Sequence, residues 1–598
     1  MSDLVSQPSA SQQGRPQSPP VEPPLALRVT GTTRPRLWPS VILVGLMWLL
    51  ILVPGWVDPG SMSHFLGMFY GPIFGILTLA GWWFFASRVG WSDRWQLPLA
   101  FLIAVILAGL LAHPSFYMGL LLFGLPVVLT LSVGWLVLTL WLSWPIRRAG
   151  LLVLFVVGWG SCDLFRFDGI AGSMQSEISW RWSPTAEERF LAERGEATGF
   201  VANQAVELTL QPGDWPGFRG PRRDGRLVGV RLATDWDKNP PRLLWKQRVG
   251  PGWSSLTVIG QHLFTQEQRD QSEVVVCYDT ETGKERWVHA DQERFTELVA
   301  GPGPRATPTF HEGKLYTMGA RGTLNCLDAA TGKKLWSRNL VADTKARIPQ
   351  WGFSSSPLVH AGLVSVYAGG PDGKGLIAYR IQDGEIAWTA GKAQHSYCSP
   401  HLAQIDGVEQ ILFCSDFGLE AFDPIRGTLL WDHQFSTNGM ARVVQPALLG
   451  ERDILLGTWM NKGTRRLRLT KADPWKLEEI WNTTAINPYY NDLVLHQGHL
   501  YGFDGIFLTC VNLDEGEKRW RARGYGNGQV LLLADQDLLL VLSEQGDIAL
   551  VPTDPTAHKP IARMKAITGK TWNHPTIAHG KLFVRNGEEM ACFALSAP

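Results

Sequence analysis

The sequence has no C-x-x-C pair, no C-x-x-C-H and no two adjacent cysteines. Zinc ribbons, c-type haem attachment and a vicinal disulfide therefore have no support. The seven cysteines, at 162, 277, 326, 398, 414, 510 and 592, follow no framework spacing, so buried free thiols are expected. A charge excess is missing too. Lys and Arg number 55 against 54 Asp and Glu, leaving +1, and no polyanion or nucleic acid is implied as a partner. No H-E-x-x-H, G-x-S-x-G or P-loop pattern is present, which leaves those hydrolase and nucleotide chemistries without a signal.

What is present divides the chain into four. Residues 1–36, rich in Ser, Pro and Gln, read as a disordered cytoplasmic tail. Residues 37–165 read as a transmembrane helical bundle of about five spans, near 38–57, 65–87, 96–112, 116–143 and 149–165. Basic residues mark alternate connections: Arg28, Arg34 and Arg36, then Arg88 and Arg94, then Arg147 and Arg148. The positive-inside rule then places the N-terminus in the cytoplasm and everything after the fifth span outside it. This implies a multi-pass protein of the inner membrane with its C-terminal domain on the periplasmic side. A cleaved signal peptide is the rival for the first span, and four further spans oppose it. A transporter is the rival for the bundle, and no Asp, Glu, Lys or Arg within the spans signals an ion path.

Residues 166–240 read as an extracytoplasmic linker. Ser183-Pro184 before Thr185-Ala186-Glu187-Glu188 predicts a capped surface helix to about Glu193. The segment Asp214-Trp215-Pro216-Gly217-Phe218-Arg219-Gly220-Pro221 is expected to pack on a rim of the next domain, with Arg222, Arg223 and Arg226 on a solvated face.

Residues 241–598 repeat one phrase: a small residue, an aromatic or aliphatic one, Asp, a polar run, Gly, then Trp. It recurs as Cys277-Tyr278-Asp279 with Gly283 and Trp287, as Cys326-Leu327-Asp328 with Gly332 and Trp336, and through Trp388, Trp431, Trp481 and Trp520. Each copy predicts a four-stranded antiparallel sheet whose tryptophan is buried between neighbouring sheets. Seven complete units run from Ser254 to about Met564. Residues 573–595 supply three more strands, and 242–248, with Trp245, supply the missing fourth. This split unit predicts an all-β, eight-bladed propeller and not an open solenoid.

The x-D-x-x-T-G-K-x-x-W phrase resembles the pyrroloquinoline quinone (PQQ) repeat shared by quinoprotein dehydrogenases and by BamB-like propellers, over about 360 residues. The layout of spans and propeller is also similar to membrane-bound quinoprotein glucose dehydrogenase. The resemblance implies a funnel at the propeller's centre. In the enzymes of this family the funnel holds PQQ with a divalent metal, a basic residue and a catalytic Asp. The residues expected to line it here are Trp253, Arg305, Trp351, His395, Tyr397, Met440, Arg442, Asn487, Tyr489, Tyr490, Asn491, Asp492, Asn527, Trp572, Asn573 and His574.

Of these, Trp253, Arg305, Trp351, Arg442, Asn491 and Trp572 are the candidate ligand contacts, since aromatic faces and Arg suit a planar acidic ligand. Each also has a structural reading: inner packing for the tryptophans, neutralisation of local carbonyls or of a neighbouring acid for the arginines, a satisfied surface position for His395 and His574. Only Asp492 is a carboxylate, a weak candidate for a Ca²⁺ or Mg²⁺ site that wants several oxygen donors. No catalytic residue is assigned, and no cofactor is expected. The reading that follows is a membrane-anchored, non-catalytic propeller that binds a protein or peptide partner at the cell envelope. The alternative is a PQQ-dependent sugar or alcohol dehydrogenase, with Ca or Mg, that passes electrons to membrane quinone.

Overall fold

A computed structural model describes residues 35–59, 61–172, 174–194, 208–435, 442–459 and 462–597. The tail expected at 1–36 lies outside these except for its last two residues. Five helices, Trp38–Val57, Met62–Phe85, Trp91–Leu111, Pro114–Leu138 and Trp144–Leu164, are long and apolar enough to cross a membrane. The third and fifth begin about five residues before the apolar runs do, so charged residues enter the helices, contrary to expectation. They are paired there. Arg148 lies 3.2 Å from Asp93, Trp144 Nε1 donates to Asp93 at 2.6 Å, and Arg147 donates to the Leu136 carbonyl at 2.5 Å. The three arginine-bearing connections share one end of the bundle: Arg36 N donates to Ser87 O, Trp83 Nε1 to Arg94 O, and Arg148 meets Asp93.

From the other end the chain forms a hairpin of strands β1 (Phe165–Ile170) and β2 (Ser176–Trp180). A helix, Ala186–Arg194, follows. Its cap is Thr185 and not Ser183: Glu188 N donates to Thr185 Oγ1 at 3.0 Å, and Thr185 N donates back to Glu188 Oε2 at 2.6 Å. Glu187 fixes this helix to the propeller by two hydrogen bonds from Arg294.

The propeller has eight blades. The innermost strand of blade 1 is Thr257–Ile259, and blades 2 to 7 begin at Thr309, Leu358, His401, Ala447, Val494 and Gln529. Blade 8 joins Thr576–Ala578, Lys581–Arg585 and Glu589–Ala594 to strand β4 (Arg242–Arg248), with Cys592 opposite Trp245. A two-residue strand of the linker, β3 (Arg226–Leu227), adds a fifth strand to blade 7, parallel to its innermost one.

Each member of the repeated phrase has a local task. Asp279 Oδ1 accepts from the amide and hydroxyl of Thr282, each at 2.9 Å, which fixes the turn. Gly283 follows at φ +71°, and the indole of Trp245 from the preceding blade covers it so closely that a Cβ there would lie 2.9 Å from the ring. Trp287 lies in the same way over Gly332, and Trp336 over Gly384. Several indole N–H groups cross to a carbonyl of the next blade: Trp245 to Thr280, Trp287 to Ala329, Trp336 to Ile381. Beneath four of these indoles the partner strand carries cysteine: Cys277 opposite Trp287, Cys326 opposite Trp336, Cys510 opposite Trp520 and Cys592 opposite Trp245. All seven cysteines are buried and free.

At the axis a second repeat links the entries of seven innermost strands, those of blade 8 and of blades 1 to 6, in an axial ring open at blade 7. Ser255 N donates to Thr307 Oγ1, Thr307 N to Ser356 Oγ, and Ser356 N to Ser399 Oγ. Ser399 N donates to Gln445 Oε1, Gln445 N to Asp492 Oδ1, and His574 N to Ser255 Oγ. Asp492 thus occupies, in blade 6, the linking position held elsewhere by Ser, Thr and Gln.

Candidate functional site

The loops entering the innermost strands open toward the helical bundle and form an aromatic funnel. Trp253 faces Trp572 with ring centroids 4.7 Å apart, and Trp572 meets Tyr490 at 5.1 Å. Tyr490 meets Tyr489, Tyr489 meets Trp351, and Trp351 stacks on Tyr397 at 5.1 Å. Lys570 Nζ sits 5.0 Å from the Trp572 ring and 5.9 Å from that of Trp253. Glu544 enters from the turn between the second and third strands of blade 7, accepting from Trp572 Nε1 at 2.8 Å and from Asn527 N at 3.2 Å. The amide oxygens of Asn491, Asn527 and Asn573, the Tyr490 hydroxyl and Trp351 Nε1 are buried here without a hydrogen-bond partner.

The turn of the β1–β2 hairpin fills the mouth of this funnel. Gly172 N donates to Glu544 Oε1 at 2.5 Å, Ile170 N donates to Val299 O, and Glu177 pairs with Lys570 at 3.1 Å. A Cβ on Gly172 would lie 2.2 Å from Asn527 Nδ2 and 2.7 Å from the Tyr490 hydroxyl, so a larger residue there would have to displace those side chains. The hairpin therefore supplies an anion to the funnel's lysine and an N–H to its glutamate.

The opposite mouth is crossed by the linker. Trp215 exchanges two backbone hydrogen bonds with Val258 of blade 1, Pro216 O accepts from Phe310 N of blade 2, and β3 pairs with blade 7. The segment at 214–221 thus packs on the rim of the channel and runs across its mouth. Arg223, expected on a solvated face, points inward and donates to the carbonyls of Ser356 and Pro357. Burial lowers its pKa to about 10, which leaves it charged near neutral pH. Arg222 and Arg226 are exposed, as expected.

Arg219, in the same segment, approaches Asp492 at 3.4 Å, with both side chains almost fully buried. Burial alone would raise the Asp492 pKa, but Arg219 and a hydrogen bond from His574 hold it below the usual carboxylate range. His574 is itself buried, and burial lowers its pKa despite Asp492, so the ring is neutral near pH 7 and Arg219 is the counter-charge.

The sequence-predicted residues fall into two sets. Trp253, Trp351, Asn491 and Trp572 do gather in the funnel. Arg305 and Arg442 are taken up by backbone carbonyls, and Arg305 also pairs with Glu297 at 3.4 Å. Arg305 donates to the carbonyls of Gly301 and Gly303, and Arg442 to those of Ser415 and Phe435 and to Thr458 Oγ1. His574 is largely enclosed, with its side chain 12% exposed and 3.5 Å from Asp492, while His395 is half-buried against the Tyr397 hydroxyl. Met440 lies outside the described residues. Glu544 and Lys570 were missed. Lys570 stands two residues before Trp572 in a loop already singled out, but Glu544 belongs to a different tier of turns.

PQQ with its divalent cation would need free carboxylate and amide donors beside a planar face. Asp492 is committed to Arg219 and the axial ring, Glu544 to three N–H donors, and Trp253 and Trp572 cover one another. The residues do not fit the group in this arrangement. Among the described residues, no cluster of three or more His, Cys, Asp or Glu side chains is placed to hold a metal.

Residues 271–522 match the family model of the outer membrane protein assembly factor BamB. A polyvinylalcohol dehydrogenase of a Pseudomonas species is 22% identical over 252 residues, which cover 35% of this chain and 39% of that protein. The quinoprotein alcohol dehydrogenase PedH of Pseudomonas putida is 24% identical over 242 residues, 36% of this chain and 38% of its own length. The alignments thus span about two fifths of these relatives. Among solved structures, BamB from Moraxella catarrhalis covers 59% of this chain and all of its own (TM-score 0.44, 12% identity). The quinohemoprotein alcohol dehydrogenase of Comamonas testosteroni covers 69% of this chain and 84% of its own (TM-score 0.48, 13% identity).

Proposed function

Taking the domain as what it is, a PQQ-like β-propeller of the quinoprotein type, we propose that the chain is a membrane-anchored binding module. It presents the propeller's distal face to a protein or peptide partner at the cell envelope. The observation that carries this reading is the plugged funnel. The chain's own Glu177 and Gly172 already satisfy Lys570 and Glu544, two charged groups beside the aromatic faces. The clustering of Arg36, Arg94 and Arg148 at the far end of the bundle supports an extracytoplasmic propeller in the inner membrane, by the positive-inside rule.

A second reading is a PQQ-dependent oxidoreductase that passes electrons to membrane quinone. The curated relatives, named as dehydrogenases, favour it, and so does the meeting of a lysine, a glutamate and aromatic rings in one funnel. It requires the hairpin to withdraw. One experiment separates the two. The full chain in nanodiscs, as wild type and as Gly172→Val, is incubated with PQQ and Ca²⁺, then assayed for quinone absorbance and for dye reduction with alcohols and sugars. The binding module predicts neither signal in either protein. Turnover by the wild type would overturn it, and turnover by the variant alone would establish a dehydrogenase held shut by its hairpin.

A further inference from the structure

The distal mouth is only half covered by the linker, and the uncovered half is a cleft of about 960 Å³. Its apolar wall comes from the innermost strands of blades 3 to 6, through Leu358, Leu402, Leu448 and Leu495. These strands turn one backbone edge toward the axis. In blades 1, 2 and 7 the linker itself takes that edge: Trp215 pairs with Val258, Pro216 O accepts from Phe310 N, and Gly225 O accepts from Leu532 N where β3 adds to blade 7. Among the described residues, no linker backbone pairs with the corresponding edges of blades 4 and 5, at His401–Ile405 and Ala447–Leu449.

The polar lining is basic. Arg222 and Arg226 stand exposed at the rim; Asp224 pairs with Arg222 at 3.2 Å, and among the described residues no acid pairs with Arg226. Deeper in, His401 is 4% exposed, and its Nδ1 is buried without a hydrogen-bond partner.

We infer that this cleft binds an extended peptide bearing a carboxylate, which adds to the free inner edges of blades 4 and 5 as β3 adds to blade 7. Three observations carry it together. An open strand edge is a template for another strand. The chain already uses the equivalent edges in this way. The surplus of cations, with a buried histidine nitrogen lacking a partner, calls for an anionic, hydrogen-bonding group. A channel opening wholly filled by its linker would offer none of these.

This inference rests on the binding-module reading, and its test is built to fail separately. The full chain in nanodiscs is panned against a random seven-residue peptide library with free C-terminal carboxylates. Selection of β-branched sequences carrying Asp, Glu or the terminal carboxylate is expected. A synthetic consensus peptide, followed by fluorescence anisotropy, should weaken at least ~10-fold when alternate peptide nitrogens are methylated, since strand pairing needs its N–H groups. A similar loss is expected against Arg226→Glu, whose melting temperature should match the wild type because the side chain is exposed. No enrichment above empty nanodiscs overturns the inference. So does a consensus peptide indifferent both to methylation and to Arg226→Glu. A partner crosslinked elsewhere on the propeller would end the groove and keep the binding module. PQQ turnover by the wild type would end the module, whatever the peptides do.

Discussion

Asp492→Asn tests how the linker is locked into the channel. Asparagine keeps an acceptor for Gln445 N but removes the charge facing Arg219. The Arg219 and Asp492 side chains are 2% and 4% exposed, so the guanidinium would be left buried without its counter-ion. Breaking such a pair costs about 3–5 kcal/mol. Arg219 keeps hydrogen bonds to the carbonyls of Leu493 and Asp224, which puts the expected cost near the lower end, about 3 kcal/mol. At 1.36 kcal/mol per decade, opening of the linker becomes roughly 100-fold more frequent. Hydrogen exchange on the full chain in nanodiscs reads this directly. The Trp215 and Gly225 amides, bonded to Val258 and Arg219, should lose about two orders of magnitude of protection, while the outer strands of blades 2 to 4 stay unchanged. Adding Arg219→Met should restore most of that protection, because removing both charges avoids the stranded ion. A loss below about 5-fold in the single variant would refute the reasoning. So would a double variant as exposed as the two singles combined. The pH dependence has a definite sign. The folded pKa of Asp492 is depressed, so its contribution is complete above the unfolded value of about 4 and disappears as pH falls through the folded one.

Three further outcomes are expected. Trp287→Ala should cost about 3–5 kcal/mol in a denaturant titration, because it empties the seam between blades 1 and 2 and strands the Ala329 carbonyl. Gly172→Val should drive the hairpin out of the funnel at a strain of about 1–3 kcal/mol. Mass-mapped acylation of Lys570, now 9% exposed, should rise by roughly 5- to 100-fold, and an unchanged rate would show that the hairpin is not held there. Burial drives the Glu273 carboxyl up to about 7, so the folded state keeps a proton that the unfolded chain releases above about pH 4.5. The wild type should lose up to ~3 kcal/mol between pH 5 and 8, whereas Glu273→Gln, still able to accept from Ala320 N, should not; parallel pH profiles would contradict this.

The blades were legible because every member of their phrase works within one turn or across one seam. Asp279 caps its own turn, Gly283 supplies its own φ, and Trp245 had to meet a position free of Cβ. Even the cysteines follow, as small residues beneath indoles. The closures of the channel were not legible, because their partners lie far apart in sequence. Arg223 meets carbonyls more than 130 residues away, and Gly172 meets Glu544 across 372 residues. No periodicity marks either contact. An Arg-rich stretch beside glycine reads as solvated until the channel that receives it is known. Asp492 looked like a lone metal-ligand candidate because its neighbours in the axial ring are uncharged Ser, Thr and Gln, a pattern visible only once the eight starts are aligned in space.

The split eighth blade imposes a schedule on synthesis. Strand β4 emerges before blade 1, yet its partner, Glu589–Ala594, is made some 340 residues later. At 5–20 residues per second, β4 waits roughly 20–70 s with that edge open. The five helices are complete long before this. The ring is thus finished only after all five helices have been made, and its last event joins the beginning of the propeller to its end. Any truncation that removes the final strand should leave seven blades without a clasp, and one exposed edge with nothing of its own to pair with.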